Sequence, residues 1–459
     1  MDMTVSGNQM ILGLVIGIAL LIFLIMKTKI HTFLALIITA ATTGLIGGMP
    51  PDSIITSISN GFGGTLGSIG IIIGFGVMMG EIFQISGAAE RMARTFIKRL
   101  GKGREELALA ITGFIVAIPI YCDSGFVILS PLVKAISRKT KRSAISLGIA
   151  LALGLVITHS LVPPTPGPVG VAGIFDVSVG SFLLWGIIFA IPMTIAGMIY
   201  GKWIGKRIYR MPTEDGLSWI TIDPKKELLG ENFNMEENKE LPSTLASFAP
   251  ILVPIVLILI DTIGTAVGYE GSMASIITFL GSPVIAVGIG LIVAIFALTG
   301  NYSRQETLEK MEVGIKSAGI IILVTGGGGA LGMVLRDSGA GDYIAELIAQ
   351  SNLPAILLPF VIATLVRLIQ GSGTVAMITA ASITAPIIAT LNVNPVFAAI
   401  GASMGSLMFS YFNDSYFWVV NRMLGIKEAK EQIKVWSVTT TIAWFVGLVE
   451  LIIVNAIFG

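Results

Sequence analysis

Two acidic residues lie in apolar surroundings where acids are rare: Asp123, within PIYCDSGF, and Asp414, within FSYFNDSYFW. Around them in sequence stand groups able to carry a proton or bond a solute. These are His159 in THSLVPPTPGP, Ser372 and Thr374 in QGSGTVA, and Ser124, Thr158 and Asn413. An ionisable side chain at the centre of a bilayer costs at least ~2.5–3.5 kcal/mol on insertion scales, so such residues are read first as functional. A carboxylate or an imidazole there can take up and release a proton. Hydroxyls and an amide can replace the water that a hydroxylated solute gives up on entry. Ser124, Thr158, Ser372, Thr374, Asn413 and Asp414 therefore form the candidate substrate-binding set, and Asp123 and His159 the candidate proton-coupling pair. Each also has a plainer role. Asp caps freed helix N-termini, Ser and Thr pack helix pairs, and His159 is as well suited to bonding a carbonyl freed near Pro163. Arg367 reads first as pairing or snorkelling within the protein and second as a bidentate partner for a substrate carboxylate. Glu81 and Glu450 read as structural.

The segments that carry these residues are rich in Gly and Pro and interrupt apolar sequence. Irregular backbone at membrane depth is tolerated only where it is enclosed by protein or lines a watery cavity. Two such interruptions at corresponding places in two halves point to a transporter's substrate site. The composition agrees: 54% of the 459 residues are apolar and 12% charged, against roughly 25% charged in a soluble domain. The apolar stretches reach the ~20 residues that a membrane helix needs. The first, from Gln9 to Met26, has no basic residue before it and no clear cleavage site after it, so it reads as a helix and not as a leader. A net charge of +1 gives no sign of a nucleic-acid partner, and a single cysteine, Cys122, excludes an intramolecular disulfide framework.

Basic residues order the chain across the membrane, because short loops rich in Lys and Arg stay cytoplasmic. Clusters at Arg91–Arg104 and Lys134–Arg142 flank one apolar stretch, Leu107 to Val133. Both flanks are cytoplasmic only if that stretch enters and returns, as a re-entrant hairpin with its tip near Asp123. Leu353 to Ile388 reads as a second hairpin, entered from outside, with Ser372 near its tip. Met49 to Leu66 reads as a loop, as does the segment carrying Arg304, Lys310 and Lys316. Ten spans and two hairpins place 27 of the 29 basic residues inside, with Arg336 and Arg367 as the exceptions. The polar segment 211–242 reads as a cytoplasmic linker between a first half, 1–210, and a second, 243–459.

Five spans and one hairpin per half make the halves face opposite ways. Weak self-similarity fits this: Gly80, Ser86, Gly87 and Ala88 match Gly332, Ser338, Gly339 and Ala340 at a constant spacing of 252. The expected fold is thus an all-α polytopic membrane protein of two inverted repeats, each with a re-entrant hairpin and a broken helix. Gly326 to Gly329 is not a phosphate loop, since no GK[ST] follows, and reads as a site of close helix packing. No ATP-binding motif, metal-ligand cluster or nucleophile–base spacing is visible, so no enzyme and no cofactor are expected.

GFGGTLGSIGIIIGFG, PIYCDSGFVILSPL, VPPTPGP, GSGTVA and NDSYFW together resemble the gluconate permease (GntP) family of secondary transporters over nearly the whole chain. The resemblance implies a bacterial inner-membrane symporter of elevator type that carries gluconate or a related small hydroxylated carboxylate, usually with protons. It leaves D-serine, glycerate or another small hydroxy or amino acid as the alternative, and the residues leave an intramembrane hydrolase using Asp123 and Asp414 as a remote one. The expected partners are a small organic anion and the lipid bilayer, with homo-oligomerisation left open. The chain departs from the family pattern at Cys122, Ser124, Thr165, Tyr411 and Tyr416. These positions fall at the expected site, so the resemblance implies the fold more closely than the substrate.

Overall fold

A chain in lipid must satisfy its backbone internally, and this one does so almost entirely as helix. The structure is a computed structural model, described for residues 7–28, 30–100, 103–213, 218–221, 241–267, 269–271, 273–339, 354–411 and 414–459. Its first half runs α1 Gly7–Phe23, α2 Thr32–Ile46, α3 Pro51–Ser86, α4 Ala88–Leu100, α5 Glu105–Val116, α6 Cys122–Thr140, α7 Ala144–Leu161, α8 Pro166–Ile174 and α9 Val179–Arg207. The second half runs α10 Thr244–Ala266, α11 Ala274–Gly281, α12 Pro283–Leu298, α13 Arg304–Asp337, α14 Leu357–Gln370, α15 Gly373–Ile388, α16 Pro395–Gly405, α17 Ser415–Met423, α18 Ala429–Gln432 and α19 Val438–Phe458. Starts are written in the sequence. Pro51, Pro166, Pro283 and Pro395 occupy first turns, where a missing N–H costs nothing. Ser178, Ser243 and Ser303 cap α9, α10 and α13, the last with Glu306 in a capping box.

Several expectations are corrected here. Residues 51–66 are the first turns of α3 and not a loop, and Arg304, Lys310 and Lys316 are likewise inside α13. Glycines let these two long helices touch. A Cβ on Gly61 would lie 2.4 Å from the Gly329 carbonyl oxygen, and one on Gly329 would lie 2.1 Å from Thr65 Oγ1. The Gly326 to Gly329 run serves this close packing. Among the described residues, Ala144–Ile174, Val179–Arg207, Thr244–Thr265 and Ala429–Phe458 are each long and apolar enough to cross a membrane. Two bent pairs, one of them Ala274–Gly281 with Pro283–Leu298 at 65°, raise the total to six. Leu357–Leu368, Gly373–Ile388 and Pro395–Gly405 are shorter apolar helices that end or begin near the polar breaks.

The stretch from α5 to α6 turns at residues 117–121, and its two ends come together. Arg142, just beyond α6, meets Glu105 at 3.0 Å and Glu106 at 2.7 Å, both in the first turn of α5. In the second half α14 and α15 turn at Gly371 and Ser372. The α14 helix begins 252 residues after α5, and the left-handed residues Gly87 and Gly339 (φ 73° and 74°) share that spacing. Of the 211–242 segment, 214–217 and 222–240 lie outside the described residues. Its near end forms a small antiparallel ribbon, β1 Arg210–Pro212 with β2 Trp219–Thr221, an addition to the all-helical expectation. Trp219 lies against Gly425, whose φ of 70° suits glycine, and Lys134 stands 5.4 Å from the Trp219 ring. Burial identifies the centre: 94% of an 18-residue apolar window in Ala144–Ile174 is buried, against only 17% of that in Ala429–Phe458.

Candidate functional site

Four chain breaks converge beside that central segment. The α6 helix starts at Cys122, α15 at Gly373 and α17 at Ser415, and the residues at all three starts line one cavity of about 440 Å³. His159 and Ser160, from the last turn of α7, complete the wall where Pro163 and Pro164 end the helix. The first turn of a helix presents N–H groups without intrahelical partners, together with the positive end of the dipole. Three such ends facing one space favour a negative ligand there.

Asp414 is the N-cap of α17. Its Oδ1 accepts from the Tyr416 N–H at 3.1 Å, and its Oδ2 accepts from Arg367 Nη2 at 2.5 Å and from the Ser410 hydroxyl. Ser410 Oγ in turn accepts from Trp436 Nε1 at 2.9 Å. Arg367, buried near the end of α14, also donates from Nη1 to the Gly371 carbonyl at the turn. The first reading of Arg367, as an internal partner, therefore describes its contacts, and the guanidinium still lines the cavity. Asp123 is held quite differently. Its Oδ2 accepts from the Ser415 hydroxyl at 3.1 Å, while Oδ1 is buried without a hydrogen-bond partner. That one bond joins residues 292 apart and ties the two halves together at the cavity.

Of the candidate residues, Asp123, His159, Ser372, Thr374 and Asp414 line the cavity. Ser124 and Thr158 do not, though each neighbours one that does. Successive helical side chains point about 100° apart, so a residue beside a lining position need not share its direction. Thr158 is fully buried, with Oγ1 unpartnered. Asn413 lies outside the described residues. Sequence reasoning missed Tyr121, Ser406 and Ser415, and put Tyr416 at the site only as a departure from the family pattern; all four are in the lining. Ser415 was recoverable in principle, as the residue after a helix-capping Asp. Ser372 Oγ accepts from the Val375 N–H at 3.3 Å as the cap of α15. Glu81 and Glu450 are absent from the lining. Among the described residues no group of three His, Cys, Asp or Glu is placed to hold a metal.

The profile of the GntP family permeases matches residues 9–457. An uncharacterised permease of Haemophilus influenzae is 50% identical over 98% of this chain and 93% of its own length. The high-affinity gluconate transporter of Escherichia coli K12 is 36% identical over 96% of this chain and 98% of its own. Among solved structures, the YdaH transporter of Alcanivorax borkumensis superposes with a TM-score of 0.66, covering 93% of this chain and 98% of that one at 16% identity, a likeness of fold. Relatives that are permeases and transporters support a carrier and not an enzyme. By a family match that runs nearly from end to end, the chain belongs to the GntP family of permeases, multi-pass proteins of the bacterial inner membrane.

Proposed function

We propose that this chain is a secondary active transporter that takes up gluconate, or a closely related small hydroxylated carboxylate, together with protons. The observation that carries the reading is the charge of the shared cavity. Arg367 and Asp414 cancel, three helix N-termini add partial positive charge, and Asp123 stands as one formal negative charge in excess. An anion entering beside an ionised Asp123 meets like-charge repulsion, and an anion entering beside its protonated form does not. Binding of proton and anion are thereby linked, as symport requires. The cavity volume falls within the range of small-molecule sites, and its hydroxyls suit a polyol chain. The gluconate-transporting relative supports the substrate class.

The same reading takes the halves as inverted repeats that carry the site in a moving unit. Its support is the shared spacing of 252 between α5 and α14 and the matched order of turns and breaks. Labelled gluconate offered to proteoliposomes with an inward proton gradient should accumulate above the outside concentration, and an uncoupler should release it. Uptake driven only by sodium, or no uptake of any sugar acid, overturns the proposal. Glycerate and D-serine as competitors test the three-carbon alternative: if they displace gluconate poorly, the six-carbon class stands.

A further inference from the structure

The two walls of the cavity differ in how well the protein satisfies them. Among the described residues, twelve buried side-chain polar atoms have no hydrogen-bond partner, and three belong to residues of this lining, Tyr121 Oη, Asp123 Oδ1 and His159 Nδ1, with Thr158 Oγ1 next to His159 in the sequence. All four come from the first half: Tyr121 caps α6, Asp123 lies in its first turn, and Thr158 and His159 lie in the last turn of α7. The Tyr121 and His159 rings pack with centroids 5.7 Å apart, in one part of the lining. The opposite wall, from the second half, is already bonded. Arg367 holds Asp414 and Gly371, Asp414 also takes Ser410 and Tyr416, and Ser372 caps its own helix. Buried polar atoms without partners are costly unless a ligand bonds them, and since these atoms are closed to solvent here, such a ligand must turn their side chains toward the cavity.

The chemistry of the walls separates the ends of a substrate. Tyr121, Asp123 and His159 offer oxygen and nitrogen acceptors and a phenolic donor, with no fixed cation, and an ionised Asp123 repels a carboxylate. Hydroxyl groups, which both donate and accept, match that wall. The second-half wall offers the buried guanidinium of Arg367 and the N–H groups of Gly373 and Thr374 at the start of α15, which have no partner within the helix. A carboxylate matches that wall. We infer that the substrate lies in one orientation, with its carboxylate on Arg367 and the start of α15, and its hydroxyl chain read by Tyr121, Asp123 and His159. This rests on the transport reading above and adds which half of the protein recognises which end of the molecule. It makes Tyr121 and His159 determinants of selectivity for hydroxylated over plain carboxylates.

Gluconate and its uncharged amide, gluconamide, separate the two ends, because both carry the hydroxyl chain and only one carries the charge. Their affinities are read on purified full-length protein by competition against labelled gluconate, with thermal unfolding recorded for each variant. Tyr121→Phe and His159→Gln should each weaken both ligands by the same factor, about five- to tenfold for one lost hydrogen bond, and preserve the preference for gluconate. Arg367→Lys should weaken gluconate and spare gluconamide, shrinking the preference. If Arg367→Lys fails to fold, Tyr121→Phe alone decides, since it removes one oxygen and keeps the ring. An erased preference in Tyr121→Phe, or unchanged affinity for both ligands, overturns the orientation while leaving the transport reading intact. Wild-type protein that binds gluconate no better than buffer overturns the transport reading, and the orientation with it.

Discussion

The two cavity carboxylates have opposite states of satisfaction, and their amide variants should fail in opposite ways. Asp414 accepts three bonds, one from a buried guanidinium. Asp414→Asn breaks a buried pair, a change that costs about 3–5 kcal/mol, so a lower unfolding midpoint and poorer expression are expected. Asp123 accepts a single hydroxyl, so Asp123→Asn should fold normally. It should bind substrate and still exchange labelled for unlabelled solute across vesicles, yet lose accumulation against a gradient. If both variants concentrate substrate with unchanged pH dependence, His159 becomes the proton site to test. The sequence alone marked both acids, because charge among apolar residues needs no structure to be noticed. The role of Arg367 was undecidable there, since its partner lies 47 residues away and only tertiary packing brings them together. Ser124 and Thr158, expected at the site, lie beside the cavity lining and not in it, because the pattern located the break without showing which side of the turn faced it.

At the scale of elements, the Arg142 ion pairs fasten the end of α6 to the start of α5. Glu105 and Glu106 are almost wholly buried, and Arg142 is their common cation. Hydrogen bonding and attraction from Glu106, with the field of Glu105, hold the guanidinium charged by more than burial opposes it. Arg142→Ala leaves two buried carboxylates without that cation and should destabilise the protein, which a lowered unfolding midpoint would show. The ends of the turn-back also test the membrane arrangement. In a Cys122→Ala background, Arg104→Cys and Lys139→Cys should both react with an impermeant maleimide from the cytoplasmic face alone. Reaction of either from outside removes the re-entrant hairpin from the proposal. Charge clusters made this element legible, whereas the start of α3, which carries no basic residue, reads as a loop in the sequence and is helix.

For the whole molecule, the α3–α13 contact is the largest feature the sequence concealed. Gly61→Val should force the long helices apart, since even the first added carbon meets the Gly329 carbonyl, and overpacking of this kind costs about 1–3 kcal/mol. Loss of expressed protein or a lowered midpoint is the expected result, while an unchanged midpoint would show that the seam yields. The position of Cys122 has a practical consequence. The chain's one thiol sits at the opening turn of α6, in the lining where the two halves meet. Native protein therefore carries a single built-in chemical clock. The rate at which a small methylthiolating reagent consumes that sulfur, timed with and without solute or an imposed gradient, reports when the chamber is filled and to which compartment it opens.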